Sequence, residues 1–174
     1  HCSWSLLKAL GGLVKYSSSY SDLIDESYLR LFEIAEEALD DLFESSSASQ
    51  LICYTLEALD ISSIRRKRQQ NYLILSELLK ERGIIPFVFS EVPNPVPLAL
   101  PIAIENRDKV RAQLMQQKIY LPIHWLSESQ SRLSSFASQC ELSLIIDQRY
   151  GGNDMLRIAD GLHEANVSTI TYDY

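Results

Sequence analysis

The loop Pro122-Ile123-His124-Trp125 sets an imidazole beside an indole, and it is the stretch of this 174-residue chain best suited to meet a ligand. An imidazole there can bind a phosphate or a hydroxyl; equally, a histidine in an ordinary turn hydrogen-bonds to backbone. His1 and His163 have no partner that the sequence names, and His163 is expected near a helix C-terminus, where positive charge is favoured. The run Arg65-Arg66-Lys67-Arg68 falls at the start of an expected helix, where cations oppose the macrodipole. Such a run marks an anion contact, a subunit interface or a solvated face. Asp147 and Arg149 are spaced to pair and to order the loop before the last helix, a structural role. The acids Glu33, Glu36, Glu37, Asp40 and Asp41 read as the wet side of an amphipathic helix, with no pairing suited to acid/base chemistry. Cys2, Cys53 and Cys140 are odd in number and scattered, without a CxxC or Cys/His spacing for zinc, and are expected to be reduced, intracellular thiols. GxGxxG, P-loop, GxSxG and HExxH patterns are absent from the sequence, so it gives no support to dehydrogenase, kinase, hydrolase or zinc-protease chemistry.

The elements that would position these groups follow from periodicity and punctuation. Residues 1–21, rich in Ser, Gly and Tyr, are expected to form an irregular connection with a short strand at 13–16. Apolar residues at Leu31, Ile34, Ala35, Ala38, Leu39 and Leu42 predict a helix over 27–42, followed by a Ser-rich break at 45–49. A second helical stretch runs through Leu51, Tyr54, Ala58 and Leu59. Ser62 is the expected N-cap of a long helix carrying Ile64, Tyr72, Leu75, Leu78 and Leu79 inward, with Gly83 ending it in left-handed geometry. Prolines then punctuate two expected strands, 84–89 and 98–104. Asn106 would cap a helix over 107–117 whose inner face is Val110, Leu114 and Met115. An edge strand or extended loop is expected at 119–125, an extended run at 142–146, and a last helix starting at Asn153 or Asp154. The tail 167–172 alternates β-branched residues, which suits a strand. The order helices, strand, helix, strand, strand, helix predicts an α+β fold: a small, mostly antiparallel sheet with helices packed on one face.

Composition sets the frame. The chain is 46% hydrophobic and 22% charged, ordinary for a globular protein, and long enough for one domain with a real core. A net charge of −7 argues against nucleic acid or an anionic membrane surface as partner. The longest apolar runs are far shorter than the roughly 18–20 residues that cross a bilayer. The abrupt start at His1-Cys2-Ser3-Trp4 is expected to reflect processing or truncation.

Four segments, in order, resemble the C-terminal half of the DegT/DnrJ/EryC1/StrS sugar aminotransferases, fold type I enzymes that use pyridoxal 5′-phosphate (PLP). They are Ile64 to Tyr72, similar to an "I…R…NY" helix start; Pro97 to Ile102 with Asn106-Arg107-Asp108; Lys118 to Trp125, close to a "gIy-x-P-x-HW" loop; and Leu142-Ser143-Leu144 with Asp147-Gln148-Arg149-Tyr150 and Asp154 to Ile158. The opening Ser5-Leu6-Leu7-Lys8 with Gly11-Gly12 is similar to an "SLRK…GG" stretch of one branch, though Leu7 stands for the Arg and the spacer before the glycines is shorter. The resemblance implies that residues 51–174 form the small C-terminal domain, and that 1–50 connect it to a large domain that supplies most of the active site. It implies Lys8 as the Schiff-base lysine and PLP-binding residue; a solvent-exposed lysine in a disordered start is the alternative. It also places His124 and Trp125 at the substrate cleft, with a nucleotide-linked keto sugar as substrate and an amino-acid donor. A cytoplasmic homodimer would follow. A non-catalytic binding or assembly module descended from the same domain is the other reading.

Overall fold

A computed structural model of the chain describes residues 3–17, 22–40, 50–87, 96–124 and 131–172. Cα packing divides the chain into two units, His1–Ala58 and Leu59–Tyr174. His1, Cys2, Asp41, the Ser-rich break 45–49 and Trp125 lie outside the described residues.

The first unit carries α1 (Ser3–Ser17), α2 (Asp22–Asp40) and α3 (Gln50–Ala58). Where an irregular start with a strand at 13–16 was expected, the chain forms α1. Trp4, Leu7 and Val14 are half-buried and Gly11 buried, recurring at helical spacing, while Leu6, Leu10 and Leu13 face outward. Two adjacent glycines weaken intrinsic helix propensity by about 1 kcal/mol each, and packing against α2 overrides that cost. Lys8 meets Glu36, Gly11 meets Phe32 and Lys15 lies 5.0 Å from the centroid of the Tyr28 ring. Those pairings descend along one helix as they ascend along the other, so α1 and α2 form an antiparallel helical hairpin. Gly11 sets how closely it packs, because a Cβ there would lie 2.8 Å from the Phe32 ring.

The second unit begins with α4 (Ile61–Glu81). Its N-cap is Asp60, not Ser62: the Asp60 carboxylate accepts from the Ser63 amide at 2.9 Å. Aspartate at this position satisfies an orphan N–H and complements the positive helix end. Arg65 to Arg68 consequently start beyond the first turn, where the macrodipole has little hold on them. Gly83 follows the helix with φ +69°, the left-handed geometry expected of it.

β1 (Ala99–Ala103) and β2 (Glu141–Ile145) pair antiparallel, in a register that sets Leu100 opposite Leu144 and Ile102 opposite Leu142. These side chains share one face and are all at most 1% exposed. Pro101 is tolerated inside β1 because it faces Ser143 at a position where its missing N–H points away from β2; its carbonyl accepts from the Phe87 amide on the other side. Within the described residues, which exclude 88 and 89, the other expected strands reduce to edge contacts. Pro86 makes an isolated bridge to Ile102, and Thr169 makes one to Ile104. Segment 121–124 is extended beside β2, with the Ser143 amide donating to the Pro122 carbonyl at 3.1 Å. Pro122 has no amide to return, so a regular ladder does not form through it.

Three further helices complete the unit: α5 (Arg107–Gln116), α6 (Arg132–Cys140) and α7 (Gly152–Glu164). The core joins Leu75 and Leu79 of α4, Val110 and Leu114 of α5, Met155, Ile158 and Leu162 of α7, and the apolar face of the strands. Each such buried side chain contributes about 1.5–3 kcal/mol. The architecture is α+β. Three local expectations are corrected. Met115 is exposed, with only Val110 and Leu114 of the expected inner face buried. Helix α7 is capped by Gly151 and starts at Gly152, with Asp154 Oδ2 accepting from the Gly151 amide at 2.8 Å. Helix α6 was not expected at all, so the order between the strands is helix, helix rather than helix, strand. Its signal was present: Leu133, Phe136, Ala137 and Cys140 follow helical spacing, and the Ser131 hydroxyl accepts from the Ser134 amide as a cap. No helix among the described residues is long and apolar enough to cross a membrane.

Candidate functional site

His124 sits at the end of the extended segment beside β2, and the strand pleat decides what it meets. Glu141 and Ser143 are two residues apart on β2, so both side chains project from one face. Both are buried, at 1% and 2% exposure, whereas His124 is exposed. The Ser143 hydroxyl donates to Glu141 Oε1, and His124 Nδ1 lies 2.8 Å from Ser143 Oγ. The His124 amide also donates to Glu141 Oε2 at 3.3 Å. One buried carboxylate thus organises both the backbone and, through serine, the ring of His124. The motif PxHW drew attention to His124; Glu141 and Ser143 carry no sequence motif and reach it only through the register of β2.

A second polar cluster ties the loop before α7 to α4. Asn71 is fully buried, and its amide nitrogen donates to the carbonyls of Ile146, Asp147 and Tyr150 at 3.3, 2.9 and 3.1 Å. Arg68 donates to Gln148 Oε1 at 3.0 Å and to the carbonyls of Pro97 and Leu98 at 3.2 and 3.4 Å. Arg65 and Arg66 are exposed, while Lys67 and Arg68 are half-buried, so the basic run is not one uniform solvated face. Asp147 pairs with Arg149, the expected ion pair. Burial opposes ionisation of Asp147, but hydrogen bonds from Arg149 and the charges of Arg149 and Arg68 outweigh it and hold its carboxyl below the usual range.

Between the loop 118–121 and α7 lies a small pocket of about 100 Å³, lined by Ile119, Leu121, Ile145 and Ile158 together with Lys118, Asp154 and Arg157. It is smaller than the roughly 300–1,000 Å³ of a typical ligand pocket. Cys140 is partly buried, which raises its thiol above the ordinary value although Arg107 pulls the other way. No group of three or more His, Cys, Asp or Glu among the described residues has the arrangement of a metal site. His163 is exposed in the last turn of α7, the position near a helix C-terminus that was expected of it.

Lys8 belongs to the first unit and His124 to the second. Lys8 lies on α1 with its side chain 37% exposed and its ammonium paired with the Glu36 carboxylate. Glu36 is therefore more than part of the wet side of α2. The ion pair to Glu36 is a contact that Lys8 would have to give up in order to hold a cofactor. Neither known family models nor curated proteins match the chain.

Proposed function

We propose that this chain is the C-terminal portion of a PLP-dependent aminotransferase of the DegT/DnrJ/EryC1/StrS type, acting on a nucleotide-linked keto sugar with an amino-acid donor. One observation carries the reading: the four segments that bear the resemblance are bonded to one another. Arg68 and Asn71 of the first reach the backbone of Pro97 and Leu98 in the second and of residues 146–150 in the fourth. His124 of the third meets Ser143 of the fourth. Residues that match a family pattern and also make a domain's long-range polar contacts are what a shared fold would require, since buried polar groups must find partners.

In this reading His124 and Trp125 border the substrate, the protein works as a cytoplasmic homodimer, and Lys8 carries PLP once its pair with Glu36 opens. PLP would supply an electron sink for proton movement at the substrate's Cα. The chain's own residues would bind and orient the sugar. The Lys8–Glu36 pair is the observation that favours the second reading, a non-catalytic binding or assembly module.

The test is spectroscopic. The chain expressed together with its upstream coding sequence should show the visible absorption of lysine-bound PLP, and Lys8→Ala should abolish it. Persistence of the band in Lys8→Ala removes Lys8 from the mechanism, and its absence from the wild type favours the non-catalytic module. The 174-residue chain alone should show no band.

A further inference from the structure

We propose that Glu141 and Ser143 are positioning residues that hold His124 with its proton on Nδ1, making Nε2 a hydrogen-bond acceptor for a hydroxyl of the ligand. A serine hydroxyl has one hydrogen. Here Ser143 gives it to Glu141, so only the oxygen lone pairs remain for His124. A contact of 2.8 Å between Nδ1 and Ser143 Oγ is then possible only with the hydrogen on Nδ1. A neutral imidazole has one N–H, and Nε2 becomes the acceptor. This is the tautomer that free histidine disfavours in water, so something must select it.

The selection is built from buried parts. Glu141 is 1% exposed and accepts from two groups of this cluster, the Ser143 hydroxyl and the His124 amide. A carboxylate taken out of water needs such donors. The backbone bond from Ser143 to Pro122 sets the histidine segment at a fixed height along β2. Any positive charge that develops as Nε2 accepts a hydrogen bond is balanced through Ser143 by Glu141, an arrangement akin to the carboxylate that orients a functional histidine. An acceptor nitrogen on an exposed side chain recognises a donor, which a sugar hydroxyl is and a fully ionised phosphate is not. The ligand class rests on the sugar reading above; the tautomer does not.

Nitrogen-15 NMR of histidine-labelled full chain at pH 8, with His124 assigned by His124→Gln, reads the tautomer directly. The wild type should show Nδ1 protonated and Nε2 unprotonated. Ser143→Ala should return His124 to the Nε2–H form, and Ser143→Thr, which keeps the hydroxyl, should retain Nδ1–H. Glu141→Gln should give a mixture, because the amide no longer dictates where the hydroxyl hydrogen points. Wild-type His124 with Nε2 protonated, as a protonated Glu141 would enforce by reversing the chain of bonds, overturns the proposal. So does Nδ1–H persisting in Ser143→Ala. Titration with UDP-glucose and, separately, inorganic phosphate then tests the ligand class at the same resonance. A His124 Nε2 shift with UDP-glucose but not with phosphate supports it. A shift with phosphate alone, with both, or with neither contradicts the hydroxyl class while leaving the tautomer result standing.

Discussion

Replacing Asn71 with aspartate changes one NH2 to an oxygen at almost constant shape, and the surroundings make that exchange severe. The Asn71 amide nitrogen faces three carbonyl oxygens at 2.9–3.3 Å and the residue is fully buried. Asn71→Ala removes about two net hydrogen bonds and strands buried acceptors, which costs about 2–4 kcal/mol. Asn71→Asp either sets a carboxylate against three carbonyls or binds a proton. A rise of about three pKa units, within the range of buried carboxyls, costs about 4 kcal/mol near neutral pH. The folded-state pKa of the introduced carboxyl is then raised above its unfolded value. Its protonated form is compatible with the fold below the unfolded pKa, and stability falls as pH climbs toward the folded pKa. The assay is urea denaturation of the full chain followed by circular dichroism, at pH 4 and pH 7. We expect Asn71→Asp to be at least as unstable as Asn71→Ala at pH 7 and to recover part of the difference at pH 4. For a chain of this length, about 3 kcal/mol corresponds to a fall of roughly 6–12 °C in melting temperature. Losses below about 1 kcal/mol for both variants, or an Asp penalty that shrinks as pH rises, would refute the view that Asn71 anchors the loop.

Other outcomes follow from the same geometry. Arg149→Ala should destabilise the chain by less than about 1 kcal/mol at neutral pH, because the Arg149 side chain is 65% exposed and screened. Since Arg149 helps depress the Asp147 pKa, that stabilisation is present above the unfolded carboxyl pKa and should vanish as pH falls through the folded value, seen as converging denaturation curves in acid. Gly152→Ala should stabilise by about 0.5–1 kcal/mol, because a Cβ there finds only ordinary contact, 3.7 Å from Ile74. Gly161→Val should destabilise by about 1–3 kcal/mol in the same denaturation assay, as even a Cβ lies 2.9 Å from Leu114 and 3.0 Å from Ile119. Iodoacetamide labelling read by mass spectrometry should modify exposed Cys53 well before Cys140, whose burial raises its thiol; equal rates would contradict that placement.

Much of the fold was legible where periodicity was long and uninterrupted. The apolar spacings of α2, α4 and α7 name their inward residues, and Gly83 and Asn106 mark helix boundaries, although Asn106 acts through left-handed backbone at φ 52° and not through a side-chain bond. The failures have local causes. In α1, Gly11-Gly12 reads as a break, yet Gly11 is the residue that lets two helices approach. In α6, three serines among nine residues lower the propensity and conceal a helical stripe. Within the described residues, the strands expected at 84–89 and 167–172 contribute to the sheet edge through only an isolated bridge each, at Pro86 and Thr169. At the site, His124 was visible from its neighbours Pro122 and Trp125. Glu141 and Ser143 were not, since sequence alone gives neither the register of β2 nor the path of the loop beside it. Asn71 lay inside a quoted motif, but its three carbonyl partners are 75–79 residues away.

The central claim concerns Lys8, and chemical trapping tests it most directly. The chain, expressed with its upstream coding sequence and saturated with PLP, is reduced with borohydride, digested, and searched by mass spectrometry for the pyridoxyl-lysine adduct. The adduct is expected at Lys8, in the peptide containing Leu6, Leu7 and Gly11. An adduct at another lysine, or none at all, would contradict the claim and leave the Lys8–Glu36 pair as a structural contact of the helical hairpin.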